Sequence, residues 1–397
     1  MAHRETIDAS NVLSFRRPDV ASRYYFYITI MNLRHIATSY GEDKQVVACE
    51  LLLNCLHKFG VSKDKVKVLS PGTVLLEPES VPFQDFESKC ELLLDAIYGE
   101  PLIMAGVDAV LSVELGVVKE SDMCLPSNAR GFAFVDALFT EAMVSPCVSM
   151  RDWKTTYIDQ MRTVYSFYSR PFGQSYKYMP VAYIQMPELV LFDEMLLDSG
   201  SSLGNESIFS ALELTGTVAY FEYRLFEMVL DVLSRDLCSN ISINVSMVNF
   251  YSNVWWERVV DVLGKNPEMA RRIYIELTET CPLHFNKFRG ERKLIDSLKK
   301  VGCHLVLDDF GSGYSSFGQA EVLEPEIIKI DKKFLHAARS GKSKYNQLKS
   351  IVRYSMEQCG FCVVEGVEDG KDLCIVESTG ANLFQGSFLE KYSRTDL

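Results

Sequence analysis

The second half of the chain alternates apolar runs with amphipathic segments, and this pattern constrains the fold more than any other feature. The segments between the runs carry apolar residues at helical spacing. Such alternation is typical of parallel strands joined by crossover helices, and about eight strands over ~250 residues predict an α/β fold, the (β/α)8 barrel. The runs that we predict as strands are 165–172, 181–192, 241–245, 272–277, 304–307, 326–330, 361–364 and 382–388.

Most of these runs contain, or end in, a side chain that binds metals or moves protons. In a parallel barrel the carboxyl ends of the strands converge on one face, so we expect these side chains to lie together. Several of them are acidic, and such a group is unfavourable unless cations neutralise it. The residues concerned are Glu188, Asn244, Glu276, Asp308, Asp309, Lys329, Glu365 and Gln385.

The ligand types indicate which metal such a site would bind. Carboxylate and amide oxygens suit Mg2+, Mn2+ or Ca2+ rather than Zn2+. Two such ions about 4 Å apart can activate a water molecule and stabilise the leaving oxygen of a phosphoryl group. Lys329 would orient that water or offset charge in the transition state. Taken alone, Asp308-Asp309 before a glycine-rich turn is more often a solvated loop, but the series of acidic strand ends favours a metal site.

Six motifs in the second half occur in the order found in one family. Through them, residues 155–390 resemble the EAL domain, the cyclic-di-GMP phosphodiesterase family. The resemblance implies hydrolysis of one phosphodiester of cyclic di-GMP to linear pGpG. The motifs are Ile243-Asn244-Val245-Ser246, Glu276-Leu277-Thr278-Glu279, the loop 308–316, Lys329-Ile330-Asp331, Glu365-Gly366-Val367-Glu368 and Gln385-Gly386.

The resemblance also implies a role for each of these residues. Two Mg2+ or Mn2+ ions would be bound, with Asp308 bridging to a second ion that Asp309 shares. The first ion would be held by Glu188, Asn244, Glu276 and Asp308. Waters would be positioned by Lys329, Glu365 and Gln385. A supporting role falls to Glu368 and to Glu279, which would anchor the loop with Gly311 and Ser312, a loop that also contributes to a homodimer contact in this family.

One strand departs from the family pattern. The tripeptide that gives the family its name corresponds to Glu188-Leu189-Val190, and Glu194 is the alternative for its glutamate. Four residues after Glu188, where the family has an arginine that contacts the substrate, this chain has Phe192. Loss of such a contact costs about 1.5–3 kcal/mol, or roughly ten- to a hundredfold in affinity. Arg170 is a candidate for a replacement contact.

The first half predicts an α+β domain with a hairpin at Ser70-Pro71-Gly72. Strands are predicted at 24–30, 66–69, 73–76 and 110–118, and helices at 33–40, 45–59, 86–97 and 132–143. Residues 20–145 resemble a GGDEF domain, the diguanylate cyclase fold, through the segment 28–42. Family members usually have aspartates where this chain has Thr29 and Met31, and their signature turn corresponds to 70–74. The resemblance therefore implies the architecture without cyclase activity.

Length and composition support two domains in one cytoplasmic chain. We predict a lead-in at 1–20, the GGDEF-like domain at 21–150 and the EAL-like barrel at 151–397. The net charge of −12 with no basic stripe argues against binding to nucleic acid or an anionic membrane. The 11 cysteines follow no framework, so we expect reduced thiols. No apolar run approaches the ~20 residues of a membrane-spanning helix.

Three functions are compatible with this pattern. The first is a metal-dependent cyclic-di-GMP phosphodiesterase, favoured by the retained acidic residues. The second is a non-catalytic EAL domain that binds cyclic di-GMP or a protein partner, favoured by Phe192 and the altered first domain. The third is an unrelated barrel hydrolase that acts on another phosphodiester. For the first domain we expect a regulatory or dimerisation role, with a protein partner as a further candidate.

Overall fold

The computed structural model of the chain describes residues 23–119, 150–169, 175–198, 205–246, 254–277, 289–311 and 317–392. These residues divide into two compact units. The first takes the described residues within 1–173, 201–224 and 251–259, and the second those within 174–200, 225–250 and 260–397. The predicted domain bounds, 21–150 and 151–397, stay a prediction.

The first unit contains a four-stranded antiparallel sheet in the order β2-β3-β1-β6. Its strands are β1 (Tyr24–Ile30), β2 (Val66–Ser70), β3 (Thr73–Leu76) and β6 (Val113–Lys119), and β4 (Ile103–Met104) pairs with β5 (Ala109–Val110). Its helices include α1 (Leu33–Tyr40), α2 (Asp43–Lys58) and α3 (Phe86–Tyr98). The α+β class and the hairpin between β2 and β3 are confirmed. The helix predicted at 132–143 lies outside the described residues.

Two more helices, α4 (Met150–Tyr168) and α5 (Asn205–Leu214), belong to the first unit. The strand predicted at 165–172 is wrong, because its described part, up to Tyr168, lies in α4. Aromatic residues suggested a strand, but the buried side chains recur at helical spacing, on one face of α4. They are Tyr157, Met161, Val164, Phe167 and Tyr168.

The second unit is built around a closed eight-stranded barrel, which confirms the predicted fold class. In order around the barrel the strands are β7 (Ser175–Tyr183), β8 (Met186–Asp198), β9 (Ile241–Val245), β10 (Ile273–Leu277), β11 (His304–Phe310), β12 (Ile327–Ile330), β13 (Cys362–Val364) and β14 (Leu383–Gln385). Two helices, α6 (Val218–Arg235) and α7 (Val254–Lys265), have residues in both units. The helices wholly within the second unit are α8 (Pro267–Ala270), α9 (Arg289–Val301), α10 (Phe317–Leu323), α11 (Lys332–Ala338), α12 (Lys342–Cys359) and α13 (Gly370–Thr379).

The barrel departs from an all-parallel arrangement at one strand. β7 is antiparallel to both of its neighbours, β8 and β14, while the other neighbouring strands are parallel. The run 181–192, predicted as one strand, contains a tight turn between Tyr183 and Met186 and contributes to two strands. β8 therefore begins at the same end of the barrel at which β9 to β14 begin.

An apolar layer fills the inside of the barrel. Its members are Val181, Phe192, Tyr274, Val306, Ile327, Val363 and Leu383, which all belong to strands of the barrel. Phe192 stacks on Tyr274 with ring centroids 4.4 Å apart. Because side chains on a strand alternate between its faces, the residue two positions later on each parallel strand points to the same interior, nearer the carboxyl end.

Gly386, in the turn after β14, is packed closely against the backbone of Val367. Gly386 has φ +152°, and a Cβ there would lie 2.3 Å from the Val367 carbonyl oxygen. We expect Gly386→Ala to lower the free energy of unfolding by more than ~2 kcal/mol, since both backbone strain and overlap oppose it.

Gly380→Ala is the matched control, because Gly380 has φ +94° but no atom within 4 Å of the added carbon. Chemical denaturation of the two variants and the parent protein measures the difference. Equal losses of stability at the two positions would contradict the close contact with Val367.

Candidate metal centre

The polar residues of the site stand two positions after the apolar layer of the barrel. Glu194 follows Phe192 on β8, Glu276 follows Tyr274 on β10, and the same step occurs on four more strands. The resulting second layer consists of Glu194, Glu276, Asp308, Lys329, Glu365 and Gln385. The barrel therefore brings these residues together at the carboxyl ends of its parallel strands, directly beyond the apolar layer.

Lys329 lies at the middle of this layer. Its side chain is 1% exposed, and its Nζ lies 2.7 Å from Glu276, 2.9 Å from Glu365, 3.0 Å from Glu194 and 3.0 Å from Asp308. An ammonium group has three hydrogens, so it cannot donate a full hydrogen bond to all four carboxylates. The arrangement is thus held by charge as much as by hydrogen bonding.

Two amides complete the surroundings of Glu194. Asn244 Nδ2 donates to Glu194 Oε1 at 2.8 Å, and Gln385 Nε2 donates to Glu194 Oε2 at 2.7 Å. Gln385 also lies 3.5 Å from the Met179 carbonyl oxygen on β7. Glu194 of β8 thus has contacts with side chains of β9, β12 and β14, and Gln385 extends these contacts to β7.

Burial and mutual repulsion set the protonation of the carboxyl groups. Burial raises the pKa of Glu276 well above its usual range, with the charge of Glu194 adding to the effect. Burial likewise raises the pKa of Asp308, and that of Glu365 to about 8. Burial opposes ionisation of Glu194 too, but attraction to Lys329 and the two amide hydrogen bonds lower its pKa overall. The four carboxylates hold the pKa of Lys329 well above its usual value despite burial.

The donor set fits divalent cations that prefer oxygen ligands. One group of carboxylate oxygens within 4.8 Å of one another comes from Glu194, Glu276 and Asp308, and a second from Asp308, Asp309 and Glu365. Asp308 belongs to both groups. Glu276 Oε1 is buried and has no hydrogen-bond partner. Converging carboxylate oxygens are suited to a divalent cation that prefers oxygen ligands, and the unpartnered oxygen is available for such an ion.

A strained backbone turns Asp309 toward the same region as Asp308. Neighbouring residues of a regular strand point to opposite faces, which would separate the two carboxylates. Asp309 instead has φ +52°, and the pairing of β11 with β12 is irregular between Leu307 and Phe310. Gly311 follows with φ +89°, and a Cβ there would lie 2.9 Å from the Phe334 ring. The irregularity at the end of β11 thus allows both aspartates to contribute to one site.

The structure corrects the predicted position of the first glutamate. Glu188 is exposed near the start of β8, whereas the alternative, Glu194, lies in the cluster. The first residue of β9, Ile241, is level with Asp193 of β8. Glu188 precedes that level, and six residues of strand separate it from Glu194 by about 20 Å. Phe192 is a core residue rather than a residue of the strand end.

The remaining predicted residues fall into two groups. Glu279, Ser312 and Arg170 lie outside the described residues. Glu368 is not part of the carboxylate cluster: its side chain is half exposed, 3.1 Å from Arg339 and 3.3 Å from His336. Asp372 accepts two hydrogen bonds from Arg339, at 2.9 and 2.6 Å, and one from the Glu368 N–H at 3.0 Å. This network joins the turn after β13 to α11 and α13.

Comparison with known proteins identifies the family of the second unit. The EAL domain model matches residues 193–392, which is just over half of the chain. The chain belongs to the EAL domain family. The match begins at Asp193, so it includes Glu194 and every later residue of the cluster and leaves Glu188 out. The GGDEF-like assignment of the first unit stays a prediction.

Curated relatives share part of this EAL chain. Cyclic di-GMP phosphodiesterase PdeA of Borreliella burgdorferi is 32% identical over 171 residues, which cover 41% of this chain and 24% of that protein. Cyclic di-GMP phosphodiesterase PdeL of Escherichia coli is 26% identical over 179 residues, covering 44% of this chain and 49% of that protein. The chain thus spans less than half the length of these relatives.

Solved structures agree on the fold. The EAL enzyme Bd1971, in its cAMP- and cyclic-di-GMP-bound form, superposes with a TM-score of 0.51 and 16% identity, covering 70% of this chain and 77% of that one. At this identity the likeness concerns the fold alone. Among the described helices, none has the length and apolar character needed to cross a bilayer.

The two glutamates on β8 should differ in their effect on metal binding. We expect Glu194→Gln to weaken Mn2+ binding by at least ~10-fold, because a buried charged ligand is lost. Glu188→Gln, the matched control on the same strand, should leave the affinity unchanged. Titration calorimetry with Mn2+ measures both. An equal loss in the two variants, or a loss only in the Glu188 variant, would contradict the site described above.

The Arg339–Asp372 pair predicts a pH dependence of stability. Burial opposes ionisation of Asp372, but the hydrogen bonds from Arg339 and the Glu368 N–H lower its pKa overall. A carboxyl group with a lowered pKa in the folded state stabilises the fold above its unfolded pKa, and the effect disappears as pH falls through the folded value. We therefore expect Asp372→Asn to lower the melting temperature at pH 7 and to reduce this difference below about pH 3.

Asp261→Asn is the control for that measurement, since Asp261 forms an exposed pair with Lys265 at 2.7 Å. Thermal unfolding at several pH values measures both variants. A stability difference for Asp372→Asn that does not change between pH 7 and pH 3 would show that the charge of Asp372 is unimportant.

Proposed function

We propose that the barrel hydrolyses cyclic di-GMP to linear pGpG with two Mg2+ or Mn2+ ions. The observation that carries the proposal is the buried group of carboxylates around Lys329, in which Asp308 belongs to two sets of converging oxygens. Membership in the EAL family and the names of the two curated relatives support this substrate. The ions, when bound, would activate a water and neutralise the charge of the phosphodiester.

Each residue of the cluster would have a role in this reaction. Glu194, Asn244, Glu276 and Asp308 would hold one ion, and Asp308, Asp309 and Glu365 would hold the other. Lys329 is placed to stabilise negative charge that develops on phosphoryl oxygens, because its ammonium lies among the proposed ligands. Gln385 orients Glu194 through its amide. The closed apolar layer beneath keeps bulk water away from the lower side of the site.

A second candidate function is binding of cyclic di-GMP without hydrolysis. With Glu194 as the glutamate of the family tripeptide, the fourth residue on, where the family has an arginine, is Asp198. Asp198 forms an ion pair with Lys177 of β7 at 3.1 Å. Because Asp198 and Glu194 are four residues apart on one strand, both face the same side of the sheet. The substrate-contacting arginine of the family is thus replaced by a carboxylate that repels a phosphate, so hydrolysis would be slow, and the affinity for cyclic di-GMP would be reduced as well.

An assay with purified full chain separates these functions. The protein is mixed with cyclic di-GMP and Mg2+ or Mn2+, and the products are separated by chromatography. Appearance of pGpG that is lost in Asp308→Ala and kept in Glu188→Ala supports the proposed enzyme. Tight binding with no product supports the receptor. Hydrolysis of a generic phosphodiester with no action on cyclic di-GMP contradicts both.

For the first unit we propose a regulatory or dimerisation role without cyclase chemistry. Thr29 and Thr73 stand where the GGDEF resemblance would require an acidic residue and part of the signature turn. Their buried hydroxyls form a hydrogen bond with each other at 2.7 Å, so each hydroxyl is the hydrogen-bond partner of the other. Such a pair leaves no carboxylate to hold a magnesium ion on a triphosphate. A homodimer through the barrel and a cytoplasmic location remain part of the proposal.

Deletion of residues 1–150, which belong to the first unit, tests that role. If a barrel without residues 1–150 cannot be obtained folded, α1 can be altered in the full chain instead. Nucleotide affinity, turnover and oligomeric state are compared with those of the parent. An unchanged value of all three contradicts a regulatory or dimerisation role.

Asp198 should limit the affinity for the substrate. We expect Asp198→Asn to lower the Kd for cyclic di-GMP ~3-fold by removing repulsion, and Asp198→Arg to lower it ~10-fold by adding a charge-assisted contact. Asp261→Asn controls for the general loss of a negative charge. Calorimetric titration of the nucleotide measures each Kd. Weaker binding by the Asp198→Arg variant would place Asp198 outside the substrate path.

A further inference from the structure

The ammonium of Lys329 lies among the oxygens that a metal ion would need. It is 3.0 Å or less from Glu194 Oε2, Glu276 Oε2 and Asp308 Oδ1. These same three residues form the first group of converging carboxylates, with oxygens within 4.8 Å of one another. A divalent ion binds such oxygens at about 2.0–2.6 Å. The two cations would therefore contact the same side chains from nearly the same place.

Each carboxylate here has few other partners among the described residues. Glu194 accepts from Asn244 and Gln385, while Glu276 Oε1 has no hydrogen-bond partner. Glu365, the fourth carboxylate, contacts Lys329 at 2.9 Å from β13 and lies outside the first group. Lys329 is thus the cation that compensates this buried negative charge when no metal is present, and Glu365 is the partner that it can keep when an ion binds the first group alone.

We propose that Lys329 is an internal counter-ion that competes with the divalent cation for Glu194, Glu276 and Asp308. This inference rests on the proposed metal site and specifies how that site is regulated. Without metal, the ammonium holds the strand ends together and the barrel stays folded. On metal binding, the ammonium gives up its contacts to these three residues, since two cations repel at this distance. The site therefore exchanges one cation for another.

Removal of the ammonium should make metal binding tighter. We expect Lys329→Met to bind Mn2+ at least ~10-fold more tightly than the parent, because nearby positive charge is lost and the carboxylates remain. Lys349→Met is the control, since it removes an exposed lysine of α12 from the same unit. Calorimetry in the full chain gives the Kd values. Equal or weaker Mn2+ binding by the Lys329 variant would overturn the competition.

The variant is also expected to depend on metal for its stability. Without Mn2+ the variant buries acidic groups that no lysine compensates, so the rise in melting temperature on adding Mn2+ should be larger than in the parent. If the variant folds neither with nor without Mn2+, the competition is tested in the parent protein by NMR. With 15N-labelled lysine, the NMR signal of the buried ammonium should shift on saturation with Mg2+. A signal that stays unchanged at saturation would overturn the inference.

These outcomes separate the inference from the proposed function. Equal Mn2+ binding by parent and variant overturns the competition and leaves the metal site intact. Mn2+ binding by the variant alone supports the competition and contradicts metal-dependent turnover by the parent. If neither protein binds Mn2+ or Mg2+, the proposed two-metal function fails, and the competition fails with it.

Discussion

The pairing of one buried lysine with four buried carboxylates is the interaction on which the rest of this structure depends. Each of these charges alone would be costly away from water, and removing one partner of such a group costs about 3–5 kcal/mol. Lys329 and its partners come from β8, β10, β11, β12 and β13, so the cluster requires a closed barrel in the observed strand order. The group that supports the proposed chemistry thus also connects five strands.

The position of this charged group in the barrel follows from the alternation of side chains between the two faces of each strand. An apolar layer lies inside the barrel, and the polar layer follows two residues later on six strands. The first layer excludes water beneath the site and gives the second a low-dielectric floor, which strengthens every interaction above it. Burial raises the pKa of Glu276, whereas for Glu194 attraction to Lys329 and the hydrogen bonds from the two amides outweigh burial and lower the pKa.

Much of the fold and the site could be predicted because the parallel strands have a regular pattern. The runs ending at Asn244, Glu276, Asp308 and Glu365 are short, separate and followed by helices, so each strand end was identifiable. The hairpin of β7 and β8 was not, since its turn at Ile184-Gln185 lacks the Gly or Asn residues that mark tight turns. Reading 181–192 as one strand placed Glu188 at the site.

A signal for the correct residue was present in the sequence. The apolar run 181–192 ends at Phe192, and Asp193-Glu194 follow directly, as Asp308-Asp309 follow Leu307. The end of the apolar run therefore identifies the site glutamate better than the best local match to the family tripeptide does. The four contacts of Lys329 could not be predicted, because they depend on how the strands are staggered around the closed barrel.

The most direct test of this account is a crystal structure of the protein soaked in Mn2+, with anomalous scattering used to locate the metal. The account predicts Mn2+ bound by Glu194, Glu276 and Asp308, with the ammonium of Lys329 withdrawn from these three residues. Two results would contradict it. One is Mn2+ bound elsewhere on the barrel, and the other is a crystal soaked to saturation in which Lys329 keeps its present contacts and no Mn2+ lies beside them.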